Sequence, residues 1–519
     1  MAIASVNSVS REHQLSRASA VDSPSGSHWD FVIIGGGATG AGIALDASMR
    51  GFKVLLLEGD DFGKGTSSRS TKLIHGGVRY LEQFQIHMVR ESLRERGRLL
   101  ENAPNIVHEL EFIIPCTRWF DRFFYGVGLK VYDFLASGSK AKRSRQVSKE
   151  SLYRGMPHLK QNAFVGGVSY SDGQFDDTRL LTEIVKAASS SGACCLNYTK
   201  VTGLLKDESG QVNGVQFLDS ETGVSHEAKG RVVINATGPF CDDIRRIDKP
   251  SQAPLVAASQ GVHLVVSPDY FPAKSAFIVP KTTDGRVLFV IPWHGHVLVG
   301  TTDTAIDTIS KEPTAFPDEI KFLLKTLQDY CGKSPTPEQC LSVFTGIRPL
   351  VKGSPSQATK KLSRDHTIEI SDSNLLTITG GKWTTYRHMA EDCVDHAISH
   401  FGLDKRPCKT ENLRLTTADV DLAIAKDYDW PLSSDSTLSK IITLKDLVRG
   451  VRCEFARTVE DLLARRTRAL FLNVEEALKL APLAAQLLAD ELGKDQAWVQ
   501  SQVEAFKDVA KCYDPKNYM

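Results

Sequence analysis

The stretch Asp30-Phe31-Val32-Ile33-Ile34-Gly35-Gly36-Gly37-Ala38-Thr39-Gly40 leaves this chain few folds to choose from. Four apolar residues in a row, rich in β-branched types, predict a buried parallel strand. The Gly-x-Gly-x-x-Gly turn of Gly35, Gly37 and Gly40 leads into Ala41-Gly42-Ile43-Ala44-Leu45-Asp46-Ala47, a helical pattern that Gly51 closes. Lys53-Val54-Leu55-Leu56-Leu57 predicts a second strand, ending at Glu58. Together these parts make a complete βαβ dinucleotide unit. Its glycines permit a tight turn and let backbone N–H groups approach a pyrophosphate at the positive end of the helix. Glu58 stands where a carboxylate accepts hydrogen bonds from ribose hydroxyls.

The chain is 519 residues long and 41% hydrophobic, enough for more than one domain around a substantial core. Lys and Arg (63) balance Asp and Glu (62), so no global field argues for nucleic acid. No apolar run has the length of a spanning helix, which leaves only peripheral contact with a membrane. The ten cysteines are scattered without a Cys-x-x-Cys pair, as expected of small apolar residues in a reducing compartment. Residues 1–28 are Ser-rich, with Arg11 and Arg17 against Glu12 and Asp22. They suit a disordered tail or a targeting segment of mitochondrial type.

After Glu58, the segment Thr66-Ser67-Ser68-Arg69-Ser70-Thr71-Lys72-Leu73-Ile74-His75-Gly76-Gly77-Val78-Arg79-Tyr80 crowds hydroxyls, cations and glycines together. Such a loop offers donors to phosphate and backbone N–H groups at close approach, although an ordinary polar loop fits equally. Arg231-Val232-Val233-Ile234-Asn235-Ala236-Thr237-Gly238 predicts a third strand ending in a small-residue turn. Short β-rich runs between 260 and 305 predict a largely antiparallel sheet, inserted as a substrate domain. Leu375 to Thr379 is a last strand, and Gly380-Gly381 is expected to open a helix. Four cations lie in unsolvated surroundings: Arg79 beside Val78 and Tyr80, His263 at the head of an apolar run, Arg348 between Ile347 and Pro349, and Lys382 after two glycines. Such groups need anionic partners, whether internal carboxylates or an anionic substrate. Arg364, among polar neighbours, is a weaker fifth case.

These motifs, with Asp172-Gly173-Gln174-Phe175-Asp176-Asp177, Gln260-Gly261-Val262-His263, Gly346-Ile347-Arg348-Pro349 and Gly380-Gly381-Lys382-Trp383-Thr384-Thr385, resemble the FAD-dependent glycerol-3-phosphate dehydrogenases over about residues 30–400. The resemblance implies an α/β fold: a Rossmann-like FAD-binding domain with an inserted antiparallel β-rich substrate domain (together 29–404), then a helical C-terminal domain (405–519). It implies oxidation of glycerol 3-phosphate by hydride transfer from C2 to FAD, with His263 as base, Lys382 as its rival and Arg348 on the reacting oxygen. Arg79 and Arg364 would hold the phosphate, and Tyr80 would orient the substrate or pack at the flavin. FAD would be bound by Gly35, Gly36, Gly37, Thr39, Gly40, Glu58, Thr66, Ser67, Ser68, Lys72, His75, Gly76, Val201, Thr237, Gly238, Gly381, Lys382, Thr384 and Thr385. Quinone is the expected electron acceptor, with dioxygen (an oxidase) or a non-catalytic flavin-binding module as alternatives. A homodimer is compatible with this reading.

Two further segments carry expectations. Residues 117–145 hold seven Lys or Arg against two Asp, with Phe124, Val127, Val131, Phe134 and Leu135 at helical spacing. The pattern suits a buried helix followed by a basic loop, the favoured reading, or a segment that docks on an anionic bilayer and guides quinone to the flavin. Docking would place the protein peripherally, on the cytoplasmic face of a bacterial membrane or on the mitochondrial inner membrane; otherwise it is cytoplasmic. Beyond Pro407, apolar residues at helical spacing with dense charge predict a separate structural cap without chemistry. No acidic loop has calcium-ligand spacing, so calcium regulation is not expected. The pairs His294/His296 and His396/His400 lack a third ligand, so no metal is expected.

Overall fold

A computed structural model of the protein describes residues 11–19, 28–78, 85–136, 142–280, 282, 286–352, 366–415 and 428–518. Strand β1 (Trp29–Ile34) is parallel to Val54–Leu57 on one side and to Ser225–Asn235 on the other. Cys194–Leu196 and Leu375–Gly380 extend the parallel set, and His366–Ile370 closes one edge antiparallel. Every residue of Val54–Leu57 is buried, as a strand covered on both faces requires. The first helix after the glycine turn, Ala38–Met49, packs against helices Asp177–Ser190 and Tyr386–His400. Gly42 makes the closest approach possible: a Cβ there would lie 3.0 Å from Tyr386 and 3.3 Å from Ala390.

The second sheet has ten strands and is antiparallel except where Ala276–Val279 runs beside Val107–Cys116. It is wider than the run at 260–305 predicted. Leu73–Ile74, Val107–Cys116, Arg145–Ser148, Gly166–Phe175 and Ser342–Val351 all join it. Strand Val256–Val266 and its partner Ser342–Val351 carry His263 and Arg348, with His263 opposite Phe344 and Ser259 opposite Arg348. The glycine pair does not open a helix. A short turn at Trp383–Thr385 intervenes and the helix begins at Tyr386, which leaves Gly381 and Lys382 in extended or left-handed backbone facing the interior.

Residues 11–19, within the segment expected to be a disordered tail or a targeting segment, form a helix, Arg11–Ser19. Leu15 and Ala18 are buried, and Arg11 Nη2 pairs with Asp219 Oδ1 at 2.6 Å. The helices after Leu438 form the expected helical C-terminal domain, and they pack directly on the second sheet. Leu447, Leu463, Leu470, Phe471 and Leu480 share one continuous core with Phe112, Ile278, Trp293 and Phe344 of the second sheet. Backbone hydrogen bonds join them too, from Val474 N to Leu341 O at 3.0 Å. The contact with the first domain is ionic. Asp61, fully buried, receives Arg465 Nε at 2.5 Å and both Arg466 Nη atoms at 2.7 Å.

One buried group lies outside any network. His158 packs between Phe271 and Phe277 with neither ring nitrogen bonded. Burial, then Lys333, pushes its pKa down to about 4. The unfolded chain therefore binds this proton below pH 6.5 while the native state refuses it until about 4, and stability falls as pH drops through that window. His158→Phe is expected to raise stability by about 1–3 kcal/mol through relieved desolvation, read as a higher thermal midpoint with a larger gain at pH 5 than at pH 7.5.

Candidate active site

A cavity of about 940 Å³ opens between the two sheets, large enough for a dinucleotide and a small substrate together. Its floor is the glycine turn. A Cβ on Gly40 would stand 1.9 Å from Gly35 O, and one on Gly35 2.7 Å from Ala236 O, so neither position admits a side chain. Gly35, Gly37 and Thr39 line the space, whereas Gly36 and Gly40 shape it from behind. Glu58 accepts from Gly36 N at 2.6 Å and from Asp60 N at 2.9 Å. Burial raises its pKa to about 7 against those two bonds, so this acid needs a further donor to stay ionised.

The loop from Thr66 divides between cavity and core. Thr66, Ser67, Ser70, Thr71 and His75 line the cavity. Ser67 Oγ accepts from Ala38 N at 2.9 Å, and Ser67 O receives the Trp383 indole N–H at 2.9 Å. Ser68, Lys72 and Gly76, also expected to bind the cofactor, are buried and do not line the cavity. Ser68 Oγ donates to Gly65 O at 3.3 Å. A Cβ at Gly76 would meet Tyr132 Oη at 2.3 Å, so that glycine serves packing. Lys72 has φ +62, a left-handed backbone that sends its side chain opposite to that of Thr71. It is fully buried, donating to Asp177 Oδ2 at 2.6 Å and Ser68 O at 2.7 Å, with the Phe344 ring 5.1 Å away. Burial, then Arg468, lowers its pKa to about 7.

Val201, Thr237, Gly238, Gly381, Lys382 and Thr384 line the cavity, whereas Thr385 is buried and donates to Lys382 O at 3.3 Å. The substrate wall holds His263 and Arg348 together. Arg348 is fixed by Thr301 Oγ1 and Thr302 O at 3.0 Å and Gln260 O at 3.2 Å, with Asp303 at 3.5 Å. His263 stacks on Phe344 with centroids 4.8 Å apart and planes 9° from parallel. Its Nε2 is 3.0 Å from Thr71 Oγ1, while its buried Nδ1 has no partner. Burial, then Lys72 and Arg348, holds its pKa well below the usual imidazole value. The neutral ring is the base form, so the acid limb of kcat/KM is expected well below pH 6.5. A pH–rate profile checks this.

Arg79, Tyr80 and Arg364 lie outside the described residues. The paired histidines go separate ways: His294 Nε2 meets Asp176 at 3.1 Å, His296 Nδ1 meets His294 O, His396 meets Asp392, and His400 meets Asn374. Sequence reasoning missed Thr71, Trp383 and the C-terminal Arg468. Arg468 Nη2 donates to Ser68 O at 2.8 Å, underneath the cofactor loop. Its signal was present, because Arg465, Arg466 and Arg468 sit among apolar residues as the other semi-buried cations do.

The profile of the FAD dependent oxidoreductase family matches residues 30–387, and that of the C-terminal domain of alpha-glycerophosphate oxidase matches 408–499. Curated relatives named glycerol-3-phosphate dehydrogenase, mitochondrial, include one from Macaca fascicularis, 37% identical over 96% of this chain and 75% of its own length. A probable enzyme of that name from Caenorhabditis elegans is 38% identical over 92% and 73%. The chain belongs to the FAD-dependent glycerol-3-phosphate dehydrogenase family. FAD is the family's cofactor, and the glycine cradle, Glu58 and the size of the cavity fit it. The glycerol-3-phosphate dehydrogenase of Bacillus halodurans, solved with FAD, superposes with a TM-score of 0.77 at 27% identity, covering 98% of both chains. A Mycoplasma pneumoniae glycerophosphate oxidase shares the fold at 20% identity and TM-score 0.57, over 76% of this chain and all of its own.

Proposed function

We propose that the protein oxidises glycerol 3-phosphate to dihydroxyacetone phosphate and passes the electrons to a quinone at a membrane surface. Bound FAD supplies the hydride acceptor for the hydrogen on C2. His263 takes the hydroxyl proton, since it is neutral at working pH and held rigidly on the cavity wall. Arg348, its guanidinium held by Thr301 Oγ1, Thr302 O and Gln260 O among others, stabilises negative charge developing on the reacting oxygen. Lys382, on the cavity lining, orients the same oxygen and is the rival base. Arg79 and Arg364 take the phosphate in bidentate fashion, and Tyr80 orients the substrate. The observation that carries this reading is the meeting of His263 and Arg348 on adjacent strands, in a cavity floored by a dinucleotide cradle. Anaerobic addition of glycerol 3-phosphate should bleach the oxidised flavin. Readmitted soluble quinone should restore the colour faster than air; an unbleached flavin defeats the substrate assignment.

The helix Trp119–Leu135 supports the membrane part of the reading. Only Leu129 and Tyr132 are buried, contrary to the buried helix favoured from sequence. Trp119, Phe120, Phe123 and Phe134 are each at least two-thirds exposed. Bare aromatics beside Arg118, Arg122, Lys130, Lys142 and Arg143 suit an anionic bilayer at the inner mitochondrial membrane. Among the described residues no helix is long and apolar enough to cross one. Phe120→Glu/Phe123→Glu is expected to weaken co-sedimentation with anionic liposomes by about 100-fold, as loss of two buried rings implies. Lys142→Glu/Arg143→Glu should weaken it less, and by an amount that added salt reproduces. Liposome binding unchanged in all four substitutions would remove the membrane assignment.

A further inference from the structure

The imidazole of His263 has only one way out. Its Nδ1 is sealed, without a hydrogen-bond partner or solvent access, by strands Val256–Val266 and Ser342–Val351. The ring cannot turn to present it. Phe344 covers one face in near-parallel stacking, and the Gly300 backbone lies so close that a Cβ there would fall 2.3 Å from His263 Cδ2. The remaining nitrogen, Nε2, is 3.0 Å from the hydroxyl of Thr71. Thr71 lines the cavity, and the left-handed turn at Lys72 fixes it there by burying the next side chain in the opposite direction.

We propose, on the basis of the reading above, that Thr71 is a catalytic proton relay between the substrate hydroxyl and His263 Nε2. The substrate O–H bond breaks as its proton passes to Thr71 Oγ1. In the same step the Thr71 O–H bond breaks and its proton passes to His263 Nε2, so the threonine ends neutral. FAD, held by the glycine cradle and Glu58, would accept the C2–H pair as hydride while the substrate oxygen's pair closes the new C=O. The two electrons lost by carbon would reside on the bound cofactor, and the one proton rests on the imidazole.

The charged groups around the ring set when that proton is held. Lys72, beyond Phe344, and Arg348, from the neighbouring strand, disfavour the imidazolium in the free protein. Asp177 and Arg468 surround Lys72 in turn, and Lys382 lies elsewhere on the cavity lining. A dianionic phosphate in the cavity opposes the cations and raises the basicity of Nε2 when substrate is present.

The test uses the holoenzyme and three variants, Thr71→Val, Thr71→Ser and His263→Asn. Flavin bleaching by glycerol 3-phosphate in the wild type is read first, and its absence would sink the functional reading itself. With that in hand, Thr71→Val should slow anaerobic bleaching by about 10²–10³-fold, within the usual range for a proton-transfer group. Thr71→Ser should stay within about fivefold of wild type, because it keeps the hydroxyl. Binding of dihydroxyacetone phosphate, followed by perturbation of the oxidised flavin spectrum, should change less than about threefold in either variant. In protein labelled with ¹⁵N-histidine, Thr71→Val should shift the Nε2 resonance of His263 at neutral pH; the His263→Asn spectrum identifies that resonance. Wild-type bleaching in Thr71→Val would overturn the relay. So would a Thr71→Ser variant as slow as Thr71→Val, or a loss of product affinity equal to the loss of rate.

Discussion

His263→Asn should keep its flavin and its fold, yet lose about 10³-fold in the rate at which glycerol 3-phosphate bleaches that flavin. The amide is neutral, as the buried imidazole is, so no charge is stranded beside Lys72 and Arg348. It cannot accept a proton near neutral pH. Stopped-flow bleaching under anaerobic conditions measures the step before any acceptor intervenes. Lys382→Met provides the comparison, since the two residues compete for the role of base. If Lys382 were the base, its variant would show the larger loss, and its pH profile would lose the limb that His263→Asn retained.

Asp61→Ala should be the most damaging substitution far from the substrate wall. Its carboxylate faces Arg465 and Arg466 in a site without solvent, and Asn197 Nδ2 adds a bond at 3.2 Å. Breaking a buried pair of this kind costs about 3–5 kcal/mol, because a cation is left uncompensated. Arg465 keeps Glu460 and Asp461, so the penalty falls chiefly on Arg466, whose remaining contact is Glu454 O at 2.7 Å. Although burial pushes the Asp61 pKa up, Arg466 and Arg465 hold it down to about 2. Its stabilising effect is therefore complete above the ordinary carboxylate range and lost as pH falls toward 2. Thermal melting at pH 7, with limited proteolysis mapped to residues 438–518, measures the effect. An unchanged midpoint and cleavage pattern would show the network to be dispensable.

Much of this could be read from the chain because the relevant constraints are local. A glycine that cannot bear a Cβ, as at Gly40, announces itself, and so does a four-residue buried strand at Val54–Leu57. Cations framed by apolar residues pointed to His263 and Arg348, since burial beside a strand leaves few polar neighbours in sequence. The direction of each side chain in the loop from Thr66 was not legible. It depends on a left-handed lysine, Lys72, and a lysine gives no hint of positive φ in the way a glycine such as Gly77 does. The exposure of Trp119 and Phe123 was equally hidden, because helical spacing reports that a face is apolar and not what covers it. The helical C-terminal domain was legible, but its packing partners were not. Its helices are locally regular, while its ties to Asp61 and Ser342 span much of the chain.

Arg468 closes the cofactor loop from below with a bond that spans 400 positions of sequence. A ribosome has therefore finished nearly the whole chain before the floor under Ser68 and Asp177 is complete. Nascent or C-terminally nicked molecules lack that prop while already possessing the glycine turn. That support of the loop is thus added only after every described strand of both sheets has been made.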